Sequence, residues 1–102
     1  MGYDDSLIQV WKTDDYVEWL EGLRDRTARK RIQTRIERLR LGNPGDVAPV
    51  GEGVSELRID YGPGYRVYYV QRGREVIILL AGGDKCTQPR DIRLALALAR
   101  QY

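Results

Sequence analysis

Glu56-Leu57-Arg58-Ile59-Asp60, Tyr65-Arg66-Val67-Tyr68-Tyr69 and Ile77-Ile78-Leu79-Leu80, the last running into Gly82-Gly83-Asp84-Lys85, decide the fold of this chain. In the first two, aliphatic residues alternate with charged or aromatic ones, the period of a strand whose two faces meet different surroundings. The third is apolar without a break, as expected of a strand covered on both faces. Tyr61-Gly62-Pro63-Gly64 and Gln71-Arg72-Gly73-Arg74 are hairpin-sized turns between them. Strands at about 54–60, 65–71 and 75–81, with no helix between them, make an antiparallel meander.

Upstream, Ile8-Gln9-Val10-Trp11-Lys12 alternates and predicts another strand. Thr13 reads as a helix N-cap, with Asp14 and Asp15 in the first turn where carboxylates favour the helix dipole. Tyr16, Trp19, Leu20 and Leu23 then fall on one stripe of a short helix closing near Gly22. A second helix is predicted from about Arg26 to Leu41, with Ala28, Ile32, Ile36 and Leu39 as its apolar stripe and Gly42-Asn43-Pro44-Gly45 as its stop. Residues 46–53, with Pro49 and several glycines, read as a loop. Downstream, Gly82-Gly83 is expected to turn the backbone tightly toward a final helix opened by Gln88-Pro89, with Asp91 in its first turn. Ile92, Ala95, Leu96 and Ala99 are its predicted buried face, and Leu94, Ala97 and Leu98 lie off that stripe, completing the core or offering a protein-binding surface. The order strand, helix, helix, three strands, helix predicts an α+β fold of two layers, with the first strand joining the same sheet and the helices packed on one face.

At 102 residues the chain is expected to form one domain, 1–102. Seventeen Lys and Arg against 15 acidic residues give a charge of only +2, but Arg24, Arg26, Arg29, Lys30, Arg31, Arg35, Arg38 and Arg40 crowd into one segment. The single Cys86 excludes an internal disulfide and fits a reducing compartment. No secretory leader and no bilayer-length apolar run are visible, so a cytoplasmic protein without a membrane role is expected. The absence of histidine removes every His-dependent catalytic scheme and, with one cysteine, makes a Cys/His zinc site untenable.

A three-residue loop at Gly62-Pro63-Gly64 would set Asp60 opposite Arg66, Arg58 opposite Tyr68, Leu57 opposite Tyr69 and Ile59 opposite Val67. Aliphatics then share one face, and Glu56, Arg58, Asp60, Arg66 and Tyr68 share the other; a slip of one residue would mix them. Two readings of that polar face stand. One is a solvated cross-strand ion pair contributing roughly a few tenths of a kcal/mol. The other is a cradle for a phosphodiester, in which Arg58, Arg66 and Lys85 supply fixed charge where it builds during attack by an RNA 2′-hydroxyl. Tyr68, or Tyr65 nearby, would then stack on a base or pass a proton, and the base would be Glu56, Asp60 or Asp84, a tyrosine, or a lysine of lowered pKa. Arg29 and Lys30 on the second helix either track further phosphates or form a charged solvent face.

Taken together, Thr13 with Trp19-Leu20, the helix from Arg29 to Leu41, Gly42-Asn43-Pro44-Gly45-Asp46, Glu56-Leu57-Arg58-Ile59, Gly62-Pro63-Gly64-Tyr65-Arg66-Val67-Tyr68-Tyr69, Leu79-Leu80-Ala81-Gly82-Gly83-Asp84-Lys85 and Gln88 with Asp91-Ile92 resemble the RelE/ParE superfamily of bacterial toxin–antitoxin toxins. Within it the likeness is to the HigB-like addiction module killer proteins. The resemblance implies a RelE-like fold and a ribosome-dependent endoribonuclease that cuts mRNA without metal or cofactor. Its implied partners are the ribosome, mRNA and a cognate antitoxin that silences it in a toxin–antitoxin hetero-oligomer. Arg66 sits where the family keeps a phosphate-binding arginine, and Arg58 and Lys85 fall in regions where it keeps basic residues. With the reading of the sheet face and the basic helix added, the expected catalytic set is Arg58, Arg66, Tyr68 and Lys85, and Arg29, Lys30 and Tyr65 are the expected RNA contacts. The chain departs from HigB members that use histidine, and Tyr102 is only a distant counterpart of the C-terminal tyrosine of RelE. A ParE-like role, in which the same fold inhibits DNA gyrase and cuts no RNA, therefore stays open.

Overall fold

The computed structural model describes residues 8–102; the expectation of no leader falls on the first seven and so lies outside the described residues. The Thr13 hydroxyl fixes the entry to the first helix twice over. It accepts from the Tyr16 N–H at 3.1 Å and donates to the Leu80 carbonyl at 2.6 Å, so the cap also ties the helix to the sheet. Strand β1 (Gln9–Lys12) precedes that cap and helix α1 (Asp14–Gly22) follows it. Helix α2 (Arg26–Arg40) starts where the Asp25 carboxylate accepts from the Ala28 N–H at 3.1 Å. Its predicted stripe of Ala28, Ile32, Ile36 and Leu39 is buried.

Five strands form one mixed sheet in the order β1-β5-β4-β3-β2, with β3 (Val54–Ile59), β4 (Tyr65–Arg72) and β5 (Val76–Gly83) as the meander. β1 joins it by parallel pairing to β5, from Gln9 opposite Val76 to Lys12 opposite Leu79. The segment read as a loop contains a fifth strand, β2 (Val47–Gly51), antiparallel to β3. Pro49 hides it in the sequence, but β2 lies at the sheet edge, where a missing N–H costs no ladder bond.

The β3–β4 register differs from the expected one by two residues. Arg58 lies opposite Arg66, Glu56 opposite Tyr68, Leu57 opposite Val67 and Ile59 opposite Tyr65. The connection is five residues long (60–64), closed by Tyr61 N–H to Ile59 O and Gly64 N–H to Tyr61 O, with Gly62 and Gly64 at positive φ. Because the slip is even, both faces keep their residues.

Leu57, Ile59, Val67, Tyr69, Ile77 and Leu79 pack against Tyr16 and Leu20 of α1 and Ile32, Ile36 and Leu39 of α2. Helix α3 (Gln88–Ala99) takes the opposite face, where Ala95 and Ala99 meet Val54, Tyr68, Val70, Ile78 and Leu80. The helical hairpin forms its layer on one face as expected, but α3 covers part of the other. Helices therefore lie on both sides of the sheet and not on one, because Val54, Tyr68, Val70, Ile78 and Leu80 give that second face an apolar patch to cover. Strand β5 is buried on both sides, as its unbroken apolar run predicts.

Gly82 and Gly83 belong to β5 and make no turn, contrary to expectation. A β-bulge at Leu80, between the pairs Tyr68–Ala81 and Tyr69–Leu79, sets their facing. A Cβ on Gly82 would strike the Trp19 ring and one on Gly83 the Asp91 carboxylate, so both glycines are needed for close approach. Among the described residues no helix is long and apolar enough to cross a membrane.

Candidate functional site

The observed register sets two guanidinium groups directly across from each other on the face opposite α1 and α2. Like charges so placed repel, and Glu56 offsets the repulsion. The carboxylate is only 1% exposed. Its Oε1 accepts from Arg58 Nε at 3.1 Å and from Arg66 Nη1 at 3.4 Å; its Oε2 accepts from Tyr68 Oη at 2.9 Å and from Gln88 Nε2 at 2.6 Å. Burial works to raise the Glu56 carboxyl, but the hydrogen bonds from Gln88, Tyr68 and Arg58 and the charge of Arg66 together hold it below the usual glutamate range. It is an ionised, fully occupied anion.

Arg58 reaches solvent, with 42% of its side chain exposed and Asp46 at 3.6 Å, whereas Arg66 keeps 13% exposed. The Arg66 Nε is buried without a partner. Both arginines line a cleft of about 360 Å³ together with Lys85, Asp46, Asp60 and the 62–64 loop. Lys85 opens a 3-10 turn (Lys85–Thr87) whose direction Asp84 fixes by accepting from the Cys86 and Thr87 N–H groups. Three cations and two exposed carboxylates thus share one mouth.

The other expected site residues lie elsewhere. Tyr68 is fully buried, and burial together with its bond to Glu56 pushes its hydroxyl above the ordinary tyrosine range. It stands behind the arginines as support, out of reach of a stacking base, because α3 covers it. Tyr65 points to the helical layer and meets the edge of Trp19 at 6.3 Å between ring centroids. Arg29 and Lys30 lie on α2, in the layer across the sheet from the cleft, flanking a groove toward α1. Arg35, counted among the basic run, donates to the carbonyls of Arg58 at 2.5 Å and Pro44 at 2.9 Å and serves the backbone. Of the apolar residues off the α3 stripe, Leu98 packs into the core and Leu94 remains exposed.

Gln88 is the participant that sequence reading missed, and Asp91 is a buried carboxylate near it. Gln88, read only as a helix start, reaches Glu56 from 32 residues away. Asp91 is buried over Gly83 and accepts from the Thr87 hydroxyl. A polar side chain at the first helical position and a carboxylate three residues on were visible signals, but both also describe an ordinary helix N-terminus.

The fold aligns with the free-state structure of a doubly arginine-to-alanine mutant of the E. coli toxin RelE at a TM-score of 0.72, covering 89% of this chain and 96% of that one at 10% identity. An uncharacterized protein of Haemophilus influenzae is 46% identical over 94 residues, 92% of this chain and 95% of its own length. Residues 18–101 match the family described as phage derived protein Gp49-like (DUF891). The structural likeness gives the fold as RelE-like, and the match over residues 18–101 gives the family: the chain belongs to the Gp49-like (DUF891) family.

Proposed function

We propose that this protein is the toxin of a type II toxin–antitoxin pair, of the HigB-like group, and acts in the cytoplasm as a ribosome-dependent mRNA endoribonuclease. The observation that carries the reading is the facing pair Arg58 and Arg66, which opens with Lys85 onto one cleft of a RelE-like fold. In this mechanism the three cations hold the oxygens of the scissile phosphate as the 2′-oxygen attacks phosphorus and the 5′-oxygen leaves with the bonding pair, taking a proton from water. Fixed donors already aimed at developing charge need no reorganisation during the step. Of the three carboxylates weighed as base, Glu56 is saturated and Asp84 caps the turn after β5; Asp60, exposed at the cleft mouth, is left to take the 2′ proton. Arg29 and Lys30 would contact further stretches of the polyanion from α2, and Tyr65 supports the hairpin through Trp19. A cognate antitoxin is the implied protein partner.

Replacing Arg66 with alanine is expected to abolish growth arrest on induction, with cleavage of ribosome-bound mRNA falling about 10²–10³-fold. A folded variant of full toxicity overturns the proposal. One observation favours a second reading, a ParE-like inhibitor of gyrase: the charged side chains lining the cleft are arginine, lysine and aspartate, and the chain has no histidine to titrate near neutrality. Mapping mRNA 5′ ends beside a supercoiling assay after induction separates the two, since gyrase inhibition leaves translated mRNA intact.

A further inference from the structure

Arg58 and Arg66 are cross-strand partners in the β3–β4 ladder, where like charges repel. Glu56 lies two residues before Arg58 on the same face of β3 and diagonally across from Arg66. Each of its oxygens accepts two hydrogen bonds, which fills the roughly four acceptor positions of a carboxylate. With no lone pair left over and its surface sealed, Glu56 has no means of taking a substrate proton.

We infer that Glu56 is a positioning residue, and that Gln88 at the start of α3 completes its hold on the two cleft arginines. Arg58 is fixed through Nε, which leaves the outer edge of its guanidinium toward the mouth. Arg66 is held through Nη1 alone, and its buried Nε has no protein partner. That Nε is sealed from the cleft, so an oxyanion would meet only the exposed remainder of the Arg66 guanidinium, which one buried anion orients. Because Gln88 belongs to α3, the geometry of two strand residues depends on how that helix docks through Ala95 and Ala99. The ligand in this inference rests on the polyanion cleft proposed above; the orientation of the arginines rests on the hydrogen bonds alone.

The sign of one measurement tests it. Glu56→Gln removes a negative charge beside a polyanion site, and by charge alone it should tighten binding. If Glu56 positions the arginines, binding instead weakens. The probe is a short single-stranded RNA with methylated 2′-hydroxyls, followed by fluorescence anisotropy. Glu56→Gln is expected to bind it about ten- to a hundredfold more weakly. Gln88→Leu should shift the same way by less, whereas Asp46→Asn, which removes an exposed charge from the same cleft, should tighten it. A folded Glu56→Gln that binds as tightly as the parent, or more tightly, overturns the inference. Side-chain ¹⁵N spectra of Arg58 and Arg66 give a second readout that needs no RNA. Separate, slowly exchanging Nε–H signals in the parent should broaden or merge in Glu56→Gln, and signals that stay unchanged also overturn it. Should the parent bind no free RNA, the cleft fails as a polyanion site in the absence of the ribosome, while the spectra still decide the role of Glu56 and ribosome-bound cleavage still decides the proposed function. Should Glu56→Gln not fold, Gln88→Leu carries both measurements.

Discussion

The two faces of the β3–β4 hairpin are made by alternate residues of the same strands, yet they are held by different physics. Toward α1 and α2, Leu57, Ile59, Val67 and Tyr69 are buried in an apolar layer that needs only volume and shape. Toward α3, Tyr68 packs with Val54 and Val70 against Ala95 and Ala99, but Glu56 is buried just as thoroughly and is held by four directed hydrogen bonds. Beyond the reach of α3 the same face opens, and Arg58, Arg66 and Lys85 line the cleft. An apolar face tolerates approximation, whereas a buried polar network depends on each directed contact it makes. The face that carries the candidate chemistry is therefore also the one most easily broken by a single atom.

Substitutions on adjacent residues should expose that difference. Glu56→Ala strips the shared anion from two buried-side guanidinium contacts and is expected to cost about 3–5 kcal/mol in urea unfolding, the largest effect here. Leu57→Ala, its neighbour facing the other way, should cost about 2–5 kcal/mol through lost burial and a residual cavity. The folded fraction of Leu57→Ala should keep the RNA affinity of the parent, and a parallel loss of affinity would show that the faces are not separable. Gly82→Ala and Gly83→Ala place a methyl against Trp19 and Asp91 respectively and should each cost about 1–3 kcal/mol by overpacking. Of the pair, only Gly83→Ala should also disturb the cleft, because Gly83 lies opposite Arg66.

Acid should give the mildest contrast. Glu56 titrates below its ordinary value of 4.5 in the folded protein, so its contribution to stability is complete above that value and is lost as pH falls through the lower folded one. Urea midpoints followed downward from pH 6 should decline less steeply in Glu56→Gln than in the parent. Some decline should persist in the variant, since the Tyr61 hydroxyl holds Asp25 low as well. Identical acid limbs would remove the ionised anion from the account.

The layout of the fold was legible because strand and helix periods write themselves into the order of apolar residues, as at Ile32, Ile36 and Leu39 or at Leu57 and Ile59. The β3–β4 register was not, for a reason intrinsic to that signal: a two-residue slip leaves every side chain on its own face, so pattern cannot distinguish Arg58 opposite Tyr68 from Arg58 opposite Arg66. β2 was lost because edge strands accept the proline that signals a loop elsewhere. At the site, the shared face of Arg58 and Arg66 followed from alternation. The closure of Glu56 by Gln88 did not, since it joins residues that only the packing of α3 brings together. The burial of Tyr68 escaped for the same cause.

The parallel pairing of β1 with β5 dictates an order of events in time. The Thr13 hydroxyl and its partner carbonyl on Leu80 are separated by 67 residues, and no local hairpin can bring them together. Closing so long a loop is entropically slow, so β1 and the cap of α1 have nothing to dock on until the meander exists. Gln88, which steadies the cleft, follows the meander directly in the chain. On a growing polypeptide, the cationic mouth would therefore mature among the last features, at nearly the moment the first strand finds its place.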